Sequence, residues 1–225
     1  LALFDVDGTL FLTHDPLAGE ALRTSLEAAY AVRLPDDPLA GLDHAGQTSL
    51  RLAHLVLRSA GLPDEQIDPR LDEWCTAFSA RYLELLAGAD TASWRAAPGA
   101  ADALSSLDAA GVQLALLTGN PEPVARARME RLRLGRFFPA GQGAFGCESE
   151  SRVELVGIAR ERAGWVAAQT VEIGDTLLDV DTAHDAAIRS ILVPSSRTAA
   201  EHADRADAVC VDLGDASDQL LAWSG

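Results

Sequence analysis

Four apolar residues, Leu1 to Phe4, open the chain and run into Asp5, Asp7 and Gly8. A short apolar run closed by a turn signal reads as a buried strand. Beyond it, over residues 15–90, apolar positions recur at helical spacing in "LAGEALRTSLEAAYAV", "TSLRLAHLVLRSAG" and "LDEWCTAFSARYLELLAG". Pro35, Pro38, Gly61 and Pro63 separate these helices. No strand pattern occurs in this region.

From Pro98-Gly99 onward helices and strands alternate. "GAADALSSLDAAG" predicts a helix, and "VQLALLTG" a strand ending at Thr118 and Gly119. Asn120 and Pro121 suit an N-cap and first turn for the helix "EPVARARMERLRLG". "RFFPAGQGAFG" predicts a short strand with a loop, "RVELVGIARERAG" a helix, "TVEIGD" a strand and "LDVDTAHDAA" a helix. "SILVP" and "DAVCVD" are the last strands, before a C-terminal helix. Apolar strands separated by helices imply an α/β protein with a doubly wound parallel sheet. The change of pattern divides the chain into a discontinuous core, 1–13 with 94–225, and an inserted all-helical domain, 14–93.

In such sheets ligands bind beyond the carboxyl ends of the strands. Three predicted strands end in polar signatures, DVDGT, TGN and GDTLLD. Residues 5, 118 and 175 are therefore candidates for one pocket. In extended backbone Asp5 and Asp7 face the same way, roughly 6 to 7 Å apart, and Gly8 allows a sharp turn beyond them. At that separation one acid can attack an electrophile while the other handles a proton. A carboxylate meeting a phosphate faces a repulsion of about 4 kcal/mol per unit pair at 4 Å and an effective dielectric of 20. A cation must remove it. Asp175, with Asp179 one turn on, supplies further hard oxygens of the kind Mg²⁺ takes, and an arginine could clamp the phosphoryl oxygens.

Composition narrows the chemistry. The formal net charge of −16 disfavours nucleic acid or an anionic membrane as a partner. All 18 Lys+Arg residues are arginines, so no mechanism can use a lysine amine. Cys75, Cys147 and Cys210 lie far apart, without metal-ligand spacing, and read as reduced thiols of a cytoplasmic protein. No apolar run reaches the ~18 to 20 residues of a membrane span and no signal-peptide pattern opens the chain. The chain starts without a methionine, so leading residues are expected before Leu1.

With these residues on hand, the chain resembles the haloacid dehalogenase superfamily, in its magnesium-dependent, phosphoglycolate phosphatase-like branch with a helical cap. Asp5-Val6-Asp7-Gly8-Thr9 matches the first motif, Thr118-Gly119-Asn120 the second, and Gly174-Asp175-Thr176 through Asp179 the fourth. The resemblance implies a Rossmann-like core and a phosphomonoester hydrolase acting on a small phosphorylated metabolite, working as a monomer or homodimer. Asp5 would be the nucleophile and Asp7 the general acid and base. Asp5, the Asp7 carbonyl and Asp175 would surround Mg²⁺, with Asp179 fixing its water. Gly8, Thr9, Thr118, Gly119 and Asn120 would hold the phosphoryl group. At the third motif, usually a lysine, Arg152 is the substitute, although guanidinium is larger and forked.

The missing lysine excludes a phosphonatase Schiff base, Leu17 stands where related mutases carry a histidine, and Asp7 argues against a dehalogenase. A non-catalytic binder of a phosphorylated ligand or partner, and a phosphoryl transferase, are the competing readings. In the insert, His44, Gln47 and Arg51 around Gly46 form a candidate substrate-reading loop, and Arg81 and Tyr82 read as packing residues. Trp74 and Trp94 read as core or linker aromatics, and Asp181, His184 and Asp185 as solvated. The arginines at 126, 128, 131, 133 and 136 read as a solvated helix face.

Overall fold

The computed structural model describes residues 1–224. Its elements are, in order, β1 Ala2–Phe4, α1 Pro16–Tyr30, α2 Ser49–Ser59, α3 Asp64–Ile67, α4 Leu71–Ala87, α5 Ala100–Ala109, β2 Leu114–Thr118, α6 Glu122–Arg131, β3 Ala144–Phe145, α7 Arg152–Ala163, β4 Val171–Gly174, α8 Leu177–Asp185, β5 Arg189–Leu192, α9 Arg197–Glu201, β6 Ala208–Val209 and α10 Leu213–Ser224. The strands form one parallel sheet in the order β3-β2-β1-β4-β5-β6. Strand order reverses at β1, which has β2 on one side and β4 on the other, so the crevice for a ligand opens beyond Phe4.

Alternation along the strands sorts side chains onto the two faces. Ala2 and Phe4 of β1 join Leu114 and Leu116 of β2 in a core covered by α5, α6 and α10. Leu1 and Leu3 join Ala115 and Leu117 in a second core, under α7 and α8. A third cluster belongs to the helices before α5, around Leu22, Leu26, Val56, Leu57, Trp74, Phe78 and Tyr82. Trp74 stacks on Phe78 and its Nε1 donates to Ser25 Oγ at 3.0 Å. The two chain crossings between this helical layer and the sheet run side by side. Leu12 N donates to Arg95 O, Arg95 N to Thr13 Oγ1 and Ala97 N to Leu10 O.

Two expectations from the sequence do not hold in the fold. Asn120 does not cap α6: Pro121 occupies that position, and no side chain caps the helix. The Asn120 amide is engaged elsewhere, with Asp7 and Thr118. Cys75 and Cys147, read as free thiols, form a disulfide. The packing of α4 against the loop after β3 brings their Cα atoms to 6.0 Å across a separation of 72 residues, a juxtaposition that cysteine spacing cannot reveal. Cys210 remains free and buried. The bridge fastens the helical layer to the sheet, and chain-entropy reasoning for a loop of this length gives about 4 kcal/mol of stabilisation. Dithiothreitol, or Cys75→Ser, should therefore lower the melting temperature by about 10 °C in a chain of this size; an unchanged melt would show that the bridge contributes nothing. Among the described residues no helix is long and apolar enough to cross a membrane.

Candidate active site

Register brings the polar strand ends together. Phe4 pairs with Leu116 on one side and Ile173 on the other, so Asp5, Thr118 and Asp175 all fall just past that line. Asp5, Asp175 and Asp179 are buried, and each offers a carboxylate oxygen, all within 4.8 Å of one another. Asp5 therefore titrates well above the usual carboxylate range. Burial is the main cause, the negative charges of Asp179, Asp175 and Asp7 add to it, and Arg152 opposes it. Burial likewise pushes Asp175 up to about 6, although it accepts hydrogen bonds from Ser195 Oγ and Thr9 Oγ1. Gly8 makes room for this arrangement: at φ +90°, a Cβ there would stand 2.3 Å from Asp175 Oδ2.

Arg152 begins α7 and is buried among the acids. Its Nη2 lies 2.5 Å from Asp179 Oδ1, 3.4 Å from Glu172 Oε1 and 3.7 Å from Asp5 Oδ1. Nη1 reaches the other way and donates to the Gly46 carbonyl of the helical layer at 2.9 Å. A forked guanidinium can thus bind the acid cluster and the insert together, which a single ammonium charge would not do from one position. Asp179 is fully engaged. Besides Arg152 it accepts from Thr176 N and Oγ1 at 2.9 and 2.6 Å, in a reciprocal cap at the start of α8. Glu172, which sequence reading did not single out, lies 1% exposed beside Arg152, and burial raises it to about 8. Its signal was available: a lone acid in the apolar strand "TVEIGD". Ser195, the partner of Asp175, carried no such signal.

The Asp7 carboxylate stands apart from the acid cluster. It is half exposed to a cavity of about 960 Å³ that is also lined by Asp5, Gly8, His44, Gly46, Gln47, Thr118, Gly119, Asn120, Arg152 and Asp175. Asn120 Nδ2 donates to Asp7 Oδ2 at 2.5 Å and to Thr118 Oγ1 at 3.0 Å. The Gly119 carbonyl accepts from Ser49 N and Oγ, both at 2.8 Å, and a Cβ on Gly119 would come within 2.1 Å of the Gln47 carbonyl. The insert thus closes directly over the second motif. One predicted phosphate contact and one residue of the candidate substrate-reading loop lie outside the cavity wall. Thr9 is buried behind Asp175, and Arg51 turns to Glu150 at 3.7 Å. Arg128, expected on a solvated face, is 2% exposed, because Asp7, Asp15 and Tyr82 surround its guanidinium.

Can these residues hold a divalent cation? The acid cluster has one buried guanidinium for four acids, Asp5, Glu172, Asp175 and Asp179, so acidic groups outnumber basic ones. Hard carboxylate oxygens are the donor type that Mg²⁺ selects, and the set fits. Asp5 and Asp175 are its best direct ligands, since the oxygens of Asp179 are already taken. Glu172 near 8 and Asp175 near 6 sit above their ordinary values, so the folded chain binds protons more tightly than the unfolded one. These groups therefore add stability as pH falls through those values, and a cation held by Asp5 and Asp175 must displace the Asp175 proton. Mg²⁺ should raise the melting temperature more at about pH 8 than at about pH 5. Equal effects at both would mean that this cluster does not bind the ion.

The doubly wound sheet carries an acid cluster at its switch point, roofed by the helices between β1 and α5. The chain belongs to the haloacid dehalogenase-like hydrolases, whose family model matches residues 1–187. The phosphoglycolate phosphatase of Agrobacterium fabrum is 30% identical over 193 residues, 85% of this chain and 78% of that protein. The phosphoglycolate phosphatase of Synechococcus elongatus is 27% identical over 194 residues, covering 85% and 82%. Among solved structures, a predicted phosphatase from Clostridium acetobutylicum superposes with a TM-score of 0.66 at 20% identity, over 98% of this chain and 97% of that one. CbbY from Rhodobacter sphaeroides in complex with phosphate gives 0.61 at 22%, over 95% and 94%. These two likenesses establish the fold.

Proposed function

We propose that this protein is a Mg²⁺-dependent phosphatase of small phosphorylated metabolites, working through a phosphoryl group carried on Asp5. The observation that carries the proposal is the placement of Asp5 in a buried acid cluster on the wall of a cavity that Asp7 also faces. An Asp5 oxygen attacks phosphorus and the ester P–O bond breaks, while Asp7 gives its proton to the departing alcohol. Asp7 then takes a proton from water, which attacks the aspartyl-phosphate, releases inorganic phosphate and restores Asp5. Thr118 Oγ1 and the Gly119 amide donate to the phosphoryl oxygens. Arg152 braces Asp179 beside Asp5. When bound, Mg²⁺ neutralises the repulsion between carboxylate and phosphate, about 4 kcal/mol per unit pair at 4 Å and a dielectric of 20. The helices of 14–93 act as the cap that excludes water during these steps.

The names of the curated relatives make 2-phosphoglycolate the first substrate to test. Of the arginines lining the cavity, Arg128 and Arg152 are spent on carboxylates and Arg23 is paired with Glu27; the exposed His14 and His44 line it as well. A panel of small phosphomonoesters should show turnover that falls at least ~100-fold when EDTA replaces Mg²⁺. Turnover indifferent to EDTA, or absent for every ester with Mg²⁺ present, would remove the proposal.

A further inference from the structure

Arg128 has no part in the chemistry outlined above, yet it is among the largest fully buried side chains of the protein. The two ends of its guanidinium serve different parts of the structure. Nη1 donates to both Asp7 oxygens, at 2.9 and 3.0 Å, and to Asn120 Oδ1 at 3.1 Å. Nη2 and Nε donate to Asp15 Oδ2, at 2.8 and 3.2 Å, and Nε also faces Tyr82 Oη at 3.2 Å. Tyr82 Oη donates to the same Asp15 oxygen at 2.7 Å. Asp15 is the N-cap of α1, accepting from Leu17 N, and Tyr82 lies on α4. The rings of Phe11 and Tyr82 lie against the guanidinium, with centroids at 5.2 and 5.5 Å. Asp7 is thus held from the sheet side by Asn120 and from the cap side through Arg128.

We propose that Arg128 is the positioning residue for Asp7, and that through Asp15 and Tyr82 it makes the place of that carboxylate depend on the seating of the cap. The inference rests on the reading of Asp7 as the group that exchanges a proton with the leaving oxygen. A half-exposed aspartate would otherwise sample several rotamers, and an error of about 1 Å in a catalytic group costs on the order of 100-fold. Only a fork can hold both carboxylates. Asp7 and Asp15 lie at opposite ends of the guanidinium, so an ammonium group would have to choose between them. With the Arg128 and Asp15 side chains both only 2% exposed, the ammonium would stay with Asp15, the carboxylate that water cannot reach.

Leaving-group dependence separates positioning from simple bracing, because an aryl oxide departs without a proton and an alkyl oxide does not. Removing the charge outright would strand Asp15 and endanger the fold, so the variants are Arg128→Lys and Tyr82→Phe in the full chain, with Asp7→Asn as the reference. First-turnover rates with Mg²⁺ are compared on 2-phosphoglycolate and p-nitrophenyl phosphate. For Arg128→Lys the rate on the alkyl ester should fall by about 10- to 100-fold with KM within about twofold, and the aryl rate should change by less than about threefold. Tyr82→Phe should show the same pattern more weakly. Equal losses on both esters, or a change in KM alone, would reduce Arg128 to a structural brace and overturn the inference. A flat leaving-group profile for Asp7→Asn would overturn the reading beneath it.

Discussion

Asp5→Asn should abolish turnover, lowering kcat on an aryl phosphate by at least about 10⁴-fold with Mg²⁺ present. The amide keeps the size of the side chain and loses the lone-pair charge that attacks phosphorus. Asparagine should not harm the fold, which makes the test clean. Asp5 is crowded by Asp179 and Asp175, with one guanidinium 3.7 Å away, and its ionised form is disfavoured in the folded state. A neutral residue there relieves that crowding, so the melting temperature without divalent cation should stay level or rise. Beryllium fluoride, which mimics a phosphoryl group on a carboxylate, should protect the native chain from thermal unfolding in the presence of Mg²⁺ and leave the variant unprotected. Near-native activity in the variant would show that another group attacks.

The second large effect belongs to Arg152. Arg152→Met should destabilise the protein by about 3 to 5 kcal/mol, the usual cost of leaving buried charge without its partner. Asp179, which Nη2 meets at 2.5 Å, loses its cation, and the guanidinium also leaves Glu172 and Asp5, whose protonated forms burial already favours. In a chain of this size the melting temperature should fall by about 10 °C or more. Arg152→Lys returns the charge that most of the family carries, according to the motif resemblance, and should recover most of that loss. It should not recover the bond to the Gly46 carbonyl, which the second arm of the fork makes across to the loop before α2. Its signature should be a raised KM in a protein that melts near the native temperature. A methionine variant as stable as the native chain would show that the acids are protonated in the resting fold and need no partner.

Much of this architecture was legible in the chain. Strands such as "LALLT" are buried along their whole length, and a run of apolar residues between helices has few other places to go. The strand-end motifs were legible for the same reason: charged residues directly after an apolar strand must sit at the sheet's edge, where ligands bind. What escaped sequence reading was pairing across distance. Arg128 looked like one of several surface arginines because α6 is polar on most of its circumference. Its burial is decided by Asp15 and Tyr82, which approach only when the insert folds back. The Cys75–Cys147 bridge and the contact of Ser195 with Asp175 belong to the same category.

The amino-acid sequence by itself determined the order of helices and strands, and the identity of the acids and glycine beyond β1, because those follow from local periodicity and turn chemistry. Only the tertiary structure decided which charges face one another. Coulomb and hydrogen-bond partners are set by separation in space, and the chain places Arg128 beside Asp7 and Arg152 beside Asp179 only after crossovers and insert have packed.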